Sequence, residues 1–258
     1  MTAWLAREEI GGAVLYQGDM REVLFDADPR ADLCVTDAPY ALTSGGKRRS
    51  MGGKFSPDKY DNSGHLMKSL PWHEMAGPIF RALADDADAY VMCNDKHVAD
   101  CQSAFKMAGF RCHNLLTWDK GAPVRSRYYM KNQEYTSFFW RGRARDLNYG
   151  GAKQCFKCNR PSLDWHVTAK PFALMALYVL QSSNPGDLVL DPFIGSAPTI
   201  MAALAFGRRA IGVELEAEYF DKACARVEVA HQAGFAQEIA EWEAARVANG
   251  LKGLANAA

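Results

Sequence analysis

The sequence predicts an α/β domain built on a mainly parallel sheet, with helices on its faces and an antiparallel hairpin at a sheet edge. Three observations carry this. Short apolar, β-rich runs alternate with helical patterns, the signature of a parallel sheet under crossover helices. Two of the runs follow one another with no helix between them, which calls for an antiparallel pair. Two other runs end in an acid with a proline one or two places on, and open α/β sheets hold their ligands at such strand ends.

In chain order, the apolar runs predict strands at Ala13–Tyr16, Asp32–Thr36, Ala89–Cys93, Asn114–Trp118, Tyr135–Trp140, Leu188–Leu190 and Ala210–Val213. Helical spacing of apolar residues predicts helices near Trp72–Ala84, Lys96–Ala108, Phe172–Gln181, Pro198–Phe206 and Ala217–His231. The Trp72, Phe80 and Leu83 stripe reads as helix packing. Asn114–Trp118 and Tyr135–Trp140 form the hairpin. Residues 41–64 and 142–165 have no clear period and are long for structureless loops, which points to function or disorder. A C-terminal helix and tail, 233–258, is expected to be a loose Ala-rich helix whose last eight residues fray.

The 258 residues, 48% hydrophobic and 23% charged, fit one large globular domain, 1–258, and exclude a disordered or coiled-coil chain. No apolar run approaches the roughly 18 residues of a membrane span, so no membrane partner is expected. Met1 to Ile10 holds two acids and one Arg and has no apolar h-region, which argues against a signal peptide and for the cytoplasm. Seven scattered Cys favour free thiols over a disulfide framework. Cys155-x-x-Cys158 has a zinc-like spacing but lacks two ligands, and the fold would have to bring in His166 with Cys112 or His113. Net charge is zero, yet residues 41–60 carry +4 and residues 120–160 carry +8. Two basic segments on an acidic body make either an electrostatic footprint or a pair of solvated loops.

Two motifs carry chemistry. Leu33-Cys34-Val35-Thr36 leads into Asp37-Ala38-Pro39-Tyr40, so a buried strand delivers an acid, a rigid turn and an aromatic to its end. Pro39 fixes its own φ and pushes Ala38 to an extended conformation. Asp37 and the Ala38 carbonyl can then both accept from one amino group, and Tyr40 offers a face for stacking. An ordinary strand-to-loop turn has the same composition. The second motif, Asp187-Leu188-Val189-Leu190-Asp191-Pro192-Phe193-Ile194-Gly195-Ser196, runs a strand into a tight turn ahead of a helix opened by Pro198. Gly195 admits close backbone approach, and the helix N-terminus suits a carboxylate. Glu214 ends the next strand, 23 residues after Asp191. An acid about 20 residues on is a known solution for ribose hydroxyls.

Together these motifs resemble the Asp-Pro-Pro-Tyr and Asp-Pro-Phe-x-Gly-Ser-Gly boxes of the DNA amino-methyltransferases, the N6-adenine and N4-cytosine DNA methylases. The catalytic box precedes the cofactor box, as in the β class, where target recognition lies between them. Tyr16-Gln17-Gly18-Asp19 resembles the early strand whose acid approaches the cofactor adenine. Trp118-Asp119-Lys120 and Asn132-Gln133-Glu134 resemble the Trp-x-Lys and Asn-x-x-Glu region. His166-Val167-Thr168-Ala169-Lys170-Pro171 resembles His-Pro-Thr-Gln-Lys-Pro, and Gly207 to Glu214 with Tyr219 resembles Gly-Arg-x-x-Ile-Gly-x-Glu…Tyr. The match spans roughly residues 13–230. Ala38 stands in place of the first proline, Ala197 in place of the second loop glycine, and Val167 and Ala169 in place of Pro and Gln.

The resemblance implies a Rossmann-like, S-adenosylmethionine-dependent methyltransferase fold with a seven-stranded, mainly parallel sheet, and double-stranded DNA as partner. It implies methylation of the exocyclic amino group of a flipped-out base. Asp37, Ala38, Pro39 and Tyr40 are the catalytic candidates. Asp19, Asp37, Thr168, Lys170, Asp191, Pro192, Phe193, Gly195, Ser196 and Glu214 are the cofactor candidates, with Lys170 expected on the cofactor carboxylate. Residues 142–165 would be an inserted target-recognition segment. Arg125, Arg127, Lys131, Arg141, Arg143 and Arg145, with Lys47, Arg48 and Arg49 after the catalytic box, would contact DNA. No resident metal is required. Adenine N6 is the favoured target because boxes opening with Asp usually go with adenine. Cytosine N4, an RNA or protein substrate, and a non-catalytic DNA-binding relic are the alternatives. A homodimer and a partner restriction nuclease of a restriction-modification pair stay open.

Overall fold

The structure is a computed structural model that describes residues 3–39, 69–124, 129–166 and 168–254. Its frame is a sheet of β1 (Ala6–Ile10), β2 (Ala13–Gln17), β3 (Ala31–Asp37), β4 (Leu83–Cys93), β5 (Arg111–Val124), β6 (Lys131–Trp140), β7 (Cys155–Lys157), β8 (Leu188–Asp191) and β9 (Arg209–Glu214). The helices are α1 (Met20–Ala27), α2 (Trp72–Ala82), α3 (Val98–Met107), α4 (Phe172–Ser182), α5 (Pro198–Ala205), α6 (Ala217–Gln232) and α7 (Ala236–Ala248).

Spatial order is β1-β2-β9-β8-β3-β4-β6-β5-β7. The run from β2 through β9, β8 and β3 to β4 is parallel. β6 pairs antiparallel with both β4 and β5. Central strands are apolar throughout because both faces are covered. On one face Leu15, Leu33, Val35, Tyr90 and Val189 pack under α4, α5, α6 and α7. On the other, Cys34, Ala89, Val91 and Leu190 pack under α1, α2 and α3. Every residue of α4 is buried, which explains its lack of a polar face.

The structure corrects the sequence reading in three places. Nine strands are present among the described residues, not seven. The additional ones are β1, a polar edge strand whose apolar content is slight, and β7, only three residues long. The hairpin is not at the edge, because β7 pairs in parallel outside β5. The C-terminal helix is not loose. Trp242 of α7 is buried on Phe156 and Phe206, and Leu251 and Leu254 are buried among the last eight residues.

Residues 142–165 act as a strap. Asn148 donates to the carbonyls of Leu180 and Ser183 at the end of α4, at 2.8 Å each. Phe156 of β7 is buried, and the Lys157 backbone exchanges two hydrogen bonds with Asn249 after α7. The segment thus fastens α4 and α7 to the sheet margin.

Candidate active site

Parallel register brings the acids at the ends of β3, β8 and β9 to one edge of the sheet. Thr36 lies one residue before Asp37 on β3, and its hydroxyl donates to Asp191 Oδ1 on the neighbouring β8 at 2.7 Å. The Phe193 N–H donates to the same oxygen at 3.1 Å. Asp191 is 2% exposed, and burial lifts its carboxyl to about 7. No cation contacts it among the described residues, so this site disfavours its own charged form until a cation arrives.

The chain then turns through Pro192 and Phe193 to Gly195 at φ +49 and Ala197 at φ +60. A Cβ on Gly195 would lie 2.8 Å from His166 Nε2. Ala197 adopts the left-handed conformation that the family's glycine would take freely. Glu214, at the end of β9, accepts from the Gly195 N–H at 3.0 Å and the Glu216 N–H at 3.1 Å. Burial pushes its carboxyl up and these N–H groups pull it back. Each oxygen keeps acceptor capacity for a hydroxyl.

His166 stacks edge-on with Tyr219, and burial with the nearby Lys170 drives its pKa down to about 4. It is neutral at physiological pH. Its Nδ1 and the Ser196 Oγ are buried without hydrogen-bond partners among the described residues. Two unsatisfied polar atoms and a buried carboxyl with no cation beside it among the described residues make this turn a candidate site for a polar, cationic group.

Asp37 is half-buried at the end of β3. Its Oδ2 takes Lys170 Nζ at 2.5 Å, while its Oδ1 is buried with no hydrogen-bond partner among the described residues. Burial raises this carboxyl, Lys170 pulls it down and Glu134 adds to the rise. Ala38 is buried and Pro39 follows it, its carbonyl accepting from the Leu70 N–H.

The structure therefore brings Asp37, Ala38, Pro39, Thr168, Lys170, Asp191, Pro192, Phe193, Gly195, Ser196 and Glu214 to one edge. Two of the expected cofactor residues also make contacts within the protein. Lys170 is committed to Asp37, to Glu134 at 3.5 Å and to the Thr168 carbonyl, so its ammonium faces the acids. Asp19 lies beside Glu214, since the Gly18 N–H donates to the Glu214 carbonyl. Its carboxylate caps α1 and pairs with Arg21, which also pairs with Glu74.

Arg141, Arg143 and Arg145 do not join the site. Arg141 donates to the carbonyls of Phe80 and Leu83 at 2.7 Å and pairs with Asp85. Arg143 pairs with Asp86, and Arg145 donates to the carbonyls of Asp32 and Ser182. Asp32 is on the order of 15–20 Å from Asp37 along β3. Arg143 and Arg145 of the strap, with Arg141 just before it, make these contacts at the opposite end of the sheet. Lys131 does stand at the same edge of the sheet as Asp37, paired with Asp95 at 2.8 Å. Tyr40, Lys47, Arg48, Arg49, Arg125 and Arg127 lie outside the described residues.

Sequence reasoning left Glu134 and His166 without roles. Both belong to motif matches already visible, Asn-x-x-Glu and the segment before α4. Their convergence on Asp37 and Gly195 is a long-range contact that spacing does not encode.

This sheet order, with acid-ended strands around a glycine turn, defines a Rossmann-like methyltransferase class. A family model described as DNA methylase matches residues 31–225. The chain belongs to this family of S-adenosylmethionine-dependent DNA amino-methyltransferases. It is similar to the Type II methyltransferase M2.DpnII of Streptococcus pneumoniae, 27% identical over 250 residues, covering 85% of this chain and 91% of the relative. The DNA adenine methyltransferase YhdJ of Escherichia coli K12 is 44% identical over 84 residues, 33% of this chain and 28% of that protein. The M1.HpyAVI–SAM complex shares the fold with TM-score 0.63 and 22% identity, covering 83% of this chain and 99% of the other. No helix among the described residues is long and apolar enough to cross a membrane.

Proposed function

We propose that this chain methylates the N6 amino group of adenine in double-stranded DNA, with Asp37 as the acceptor that prepares the nitrogen. The observation that carries the reading is the Asp37 Oδ1 atom. It is a buried acceptor without a hydrogen-bond partner among the described residues, at the end of β3 and beside the strand that opens the Asp191–Ser196 loop.

The loop residues fit S-adenosylmethionine. Asp191 would hold a cationic centre, Ser196 and the turn at Gly195 would line the methionine half, and Glu214 would accept ribose hydroxyls. When bound, that cofactor supplies a methyl group already activated on a sulfonium. Asp37 Oδ1 and the Ala38 carbonyl would each accept one N–H of the target amine. That favours a tetrahedral nitrogen and frees its lone pair, and fixing its direction supplies the in-line geometry. Asp37 Oδ1 would take the proton the methylated nitrogen sheds. The base must leave the duplex to reach this edge, and Tyr40 is the proposed stacking partner.

The choice of adenine rests on the Asp that opens the box and on the adenine specificity in the name of YhdJ. Tritiated methyl transfer to duplex DNA, RNA and protein tests the substrate class. Label in duplex DNA is expected. Label in RNA or protein alone, or none, would overturn the reading.

A further inference from the structure

Glu134 belongs to none of the roles assigned so far, yet it sits at the centre of a line of alternating charges that ends on Asp37. Lys120 of β5 donates to Glu134 Oε1 at 3.1 Å, and Arg160 lies 3.8 Å from the same oxygen. Glu134 Oε2 lies 3.5 Å from Lys170 Nζ. Lys170, 6% exposed, reaches Asp37 Oδ2 at 2.5 Å and the Thr168 carbonyl at 3.1 Å. Five parts of the chain meet here: β3, β5, β6, the end of the strap and the segment before α4. The tryptophan-lysine and asparagine-glutamate motifs of the hairpin thereby acquire a use. Asn132 also donates to Asp119 at 3.2 Å, bracing the two hairpin strands at this level.

We propose that Glu134 is a positioning residue for methyl transfer: it anchors Lys170 so that the ammonium occupies Oδ2 of Asp37 and leaves Oδ1 as the acceptor for the target amine. This rests on the reading of Asp37 given above. The geometry divides the labour between oxygens. Glu134 spends Oε1 on Lys120 and Arg160 and turns Oε2 to Lys170. Lys170 in turn is hydrogen-bonded to Asp37 and lies 3.5 Å from Glu134 Oε2, a buried oxygen with no hydrogen-bond partner among the described residues, so both carboxylates attract its ammonium. Without the Glu134 charge, Lys170 is drawn to Asp37 alone. The direction of the Asp37 carboxylate is then no longer fixed by a third group, and the ammonium competes for the oxygen the substrate needs.

Among the described residues, the charged and titratable groups facing Asp37 are Lys170 from the segment before α4, Glu134 from β6 and Asp191 from β8. Lys170 favours the ionised carboxylate and Glu134 opposes it. Glu134 itself is penalised by burial, but Lys170, Lys120 and Arg160 outweigh this and hold it below its usual range. The two neighbours of Asp37 thus act in opposite directions on the same proton.

The test is the pH dependence of single-turnover methyl transfer by the full chain on duplex DNA, for wild type, Glu134→Gln, Glu134→Asp, Lys170→Met and Asp37→Ala. Glu134→Gln is expected to lower the transfer rate about tenfold or more, equivalent to about 1.4 kcal/mol of barrier per factor of ten. DNA and cofactor dissociation constants should stay near wild type. Its acid limb should move to lower pH, and that of Lys170→Met to higher pH. Glu134→Asp, which keeps the charge, should leave the limb in place. A merely structural Glu134 would not produce opposite displacements. Wild-type rates and limbs in Glu134→Gln and Lys170→Met, with Asp37→Ala inactive, overturn the positioning role alone. An active Asp37→Ala overturns the reading of Asp37 beneath it.

Discussion

Thr36 and Asp191 are joined across β3 and β8 by a buried 2.7 Å hydrogen bond, so the strand that ends on Asp37 and the strand that opens the Asp191–Ser196 loop are fastened at the candidate site itself. A shift of either strand would move both acids together. Each prediction below follows from a contact at this edge or from its support.

Asp191 should give the ligand-free protein a distinctive pH dependence. Its carboxyl is raised to about 7 by burial. A raised folded pKa favours the folded state below the unfolded value and loses that contribution as pH climbs to the folded value. The loss should fall between about pH 4, the ordinary Asp value, and about pH 7. Asp191→Asn keeps an acceptor for Thr36 and for the Phe193 N–H. It should be more stable than wild type at pH 8, by on the order of 2 kcal/mol, and not at pH 4. Urea denaturation at the two pH values checks this, and equal wild-type and variant midpoints at pH 8 would refute it.

The same carboxylate should matter for ligand binding in the opposite sense. Asp191→Ala is expected to weaken S-adenosylmethionine binding at least about tenfold, or about 1.4 kcal/mol. Calorimetry at pH 8 measures it, and an unchanged dissociation constant would remove Asp191 from the cofactor site.

Gly195→Ala should be harmful for two reasons. The residue sits at φ +49, and the new Cβ would meet His166 Nε2 at 2.8 Å. The left-handed conformation alone costs an L-residue about 1–2 kcal/mol. Reduced thermal stability together with weaker cofactor binding is expected. Full retention of both would mean the turn is looser than its geometry implies.

Much of this was legible in the sequence, because apolar runs and acid-ended strands are local signals. Asp37, Asp191, Gly195 and Glu214 stand in motifs whose register the parallel sheet preserves. The placement of the arginines was not legible because charge along the chain does not reveal which end of the sheet a residue faces. Arg141, Arg143 and Arg145 follow β6, an antiparallel strand that has already left the edge where Asp37 stands. β1 and β7 were missed because one is polar and the other has three residues. Trp242 was missed as an anchor because an Ala-rich helix does not announce the groove it fills.

That anchor makes its own prediction. Trp242 is 1% exposed against Phe156 and Phe206. Trp242→Ala should cost about 3–5 kcal/mol of stability. Chemical denaturation reads it directly, and a loss below about 1 kcal/mol would return α7 to the status of a loose tail.

DNA affinity should fall with salt despite zero net charge, since counterion release depends on local cations. Lys131→Ala, at the edge where Asp37 stands, should reduce the slope of log K against log salt by about one. Arg143→Ala, at the far end and paired with Asp86, should leave the slope unchanged. The reverse pattern in fluorescence anisotropy titrations would place the DNA on the other end of the sheet.

Nucleoside mass spectrometry of duplex DNA, treated with the purified protein and S-adenosylmethionine, tests the central claim most directly. N6-methyladenine is expected with wild type, and a loss of about 10²-fold or more with Asp37→Ala, the scale of removing one preorganised group from a transition state. N4-methylcytosine without N6-methyladenine, or N6-methyladenine formed equally well by Asp37→Ala, would contradict it.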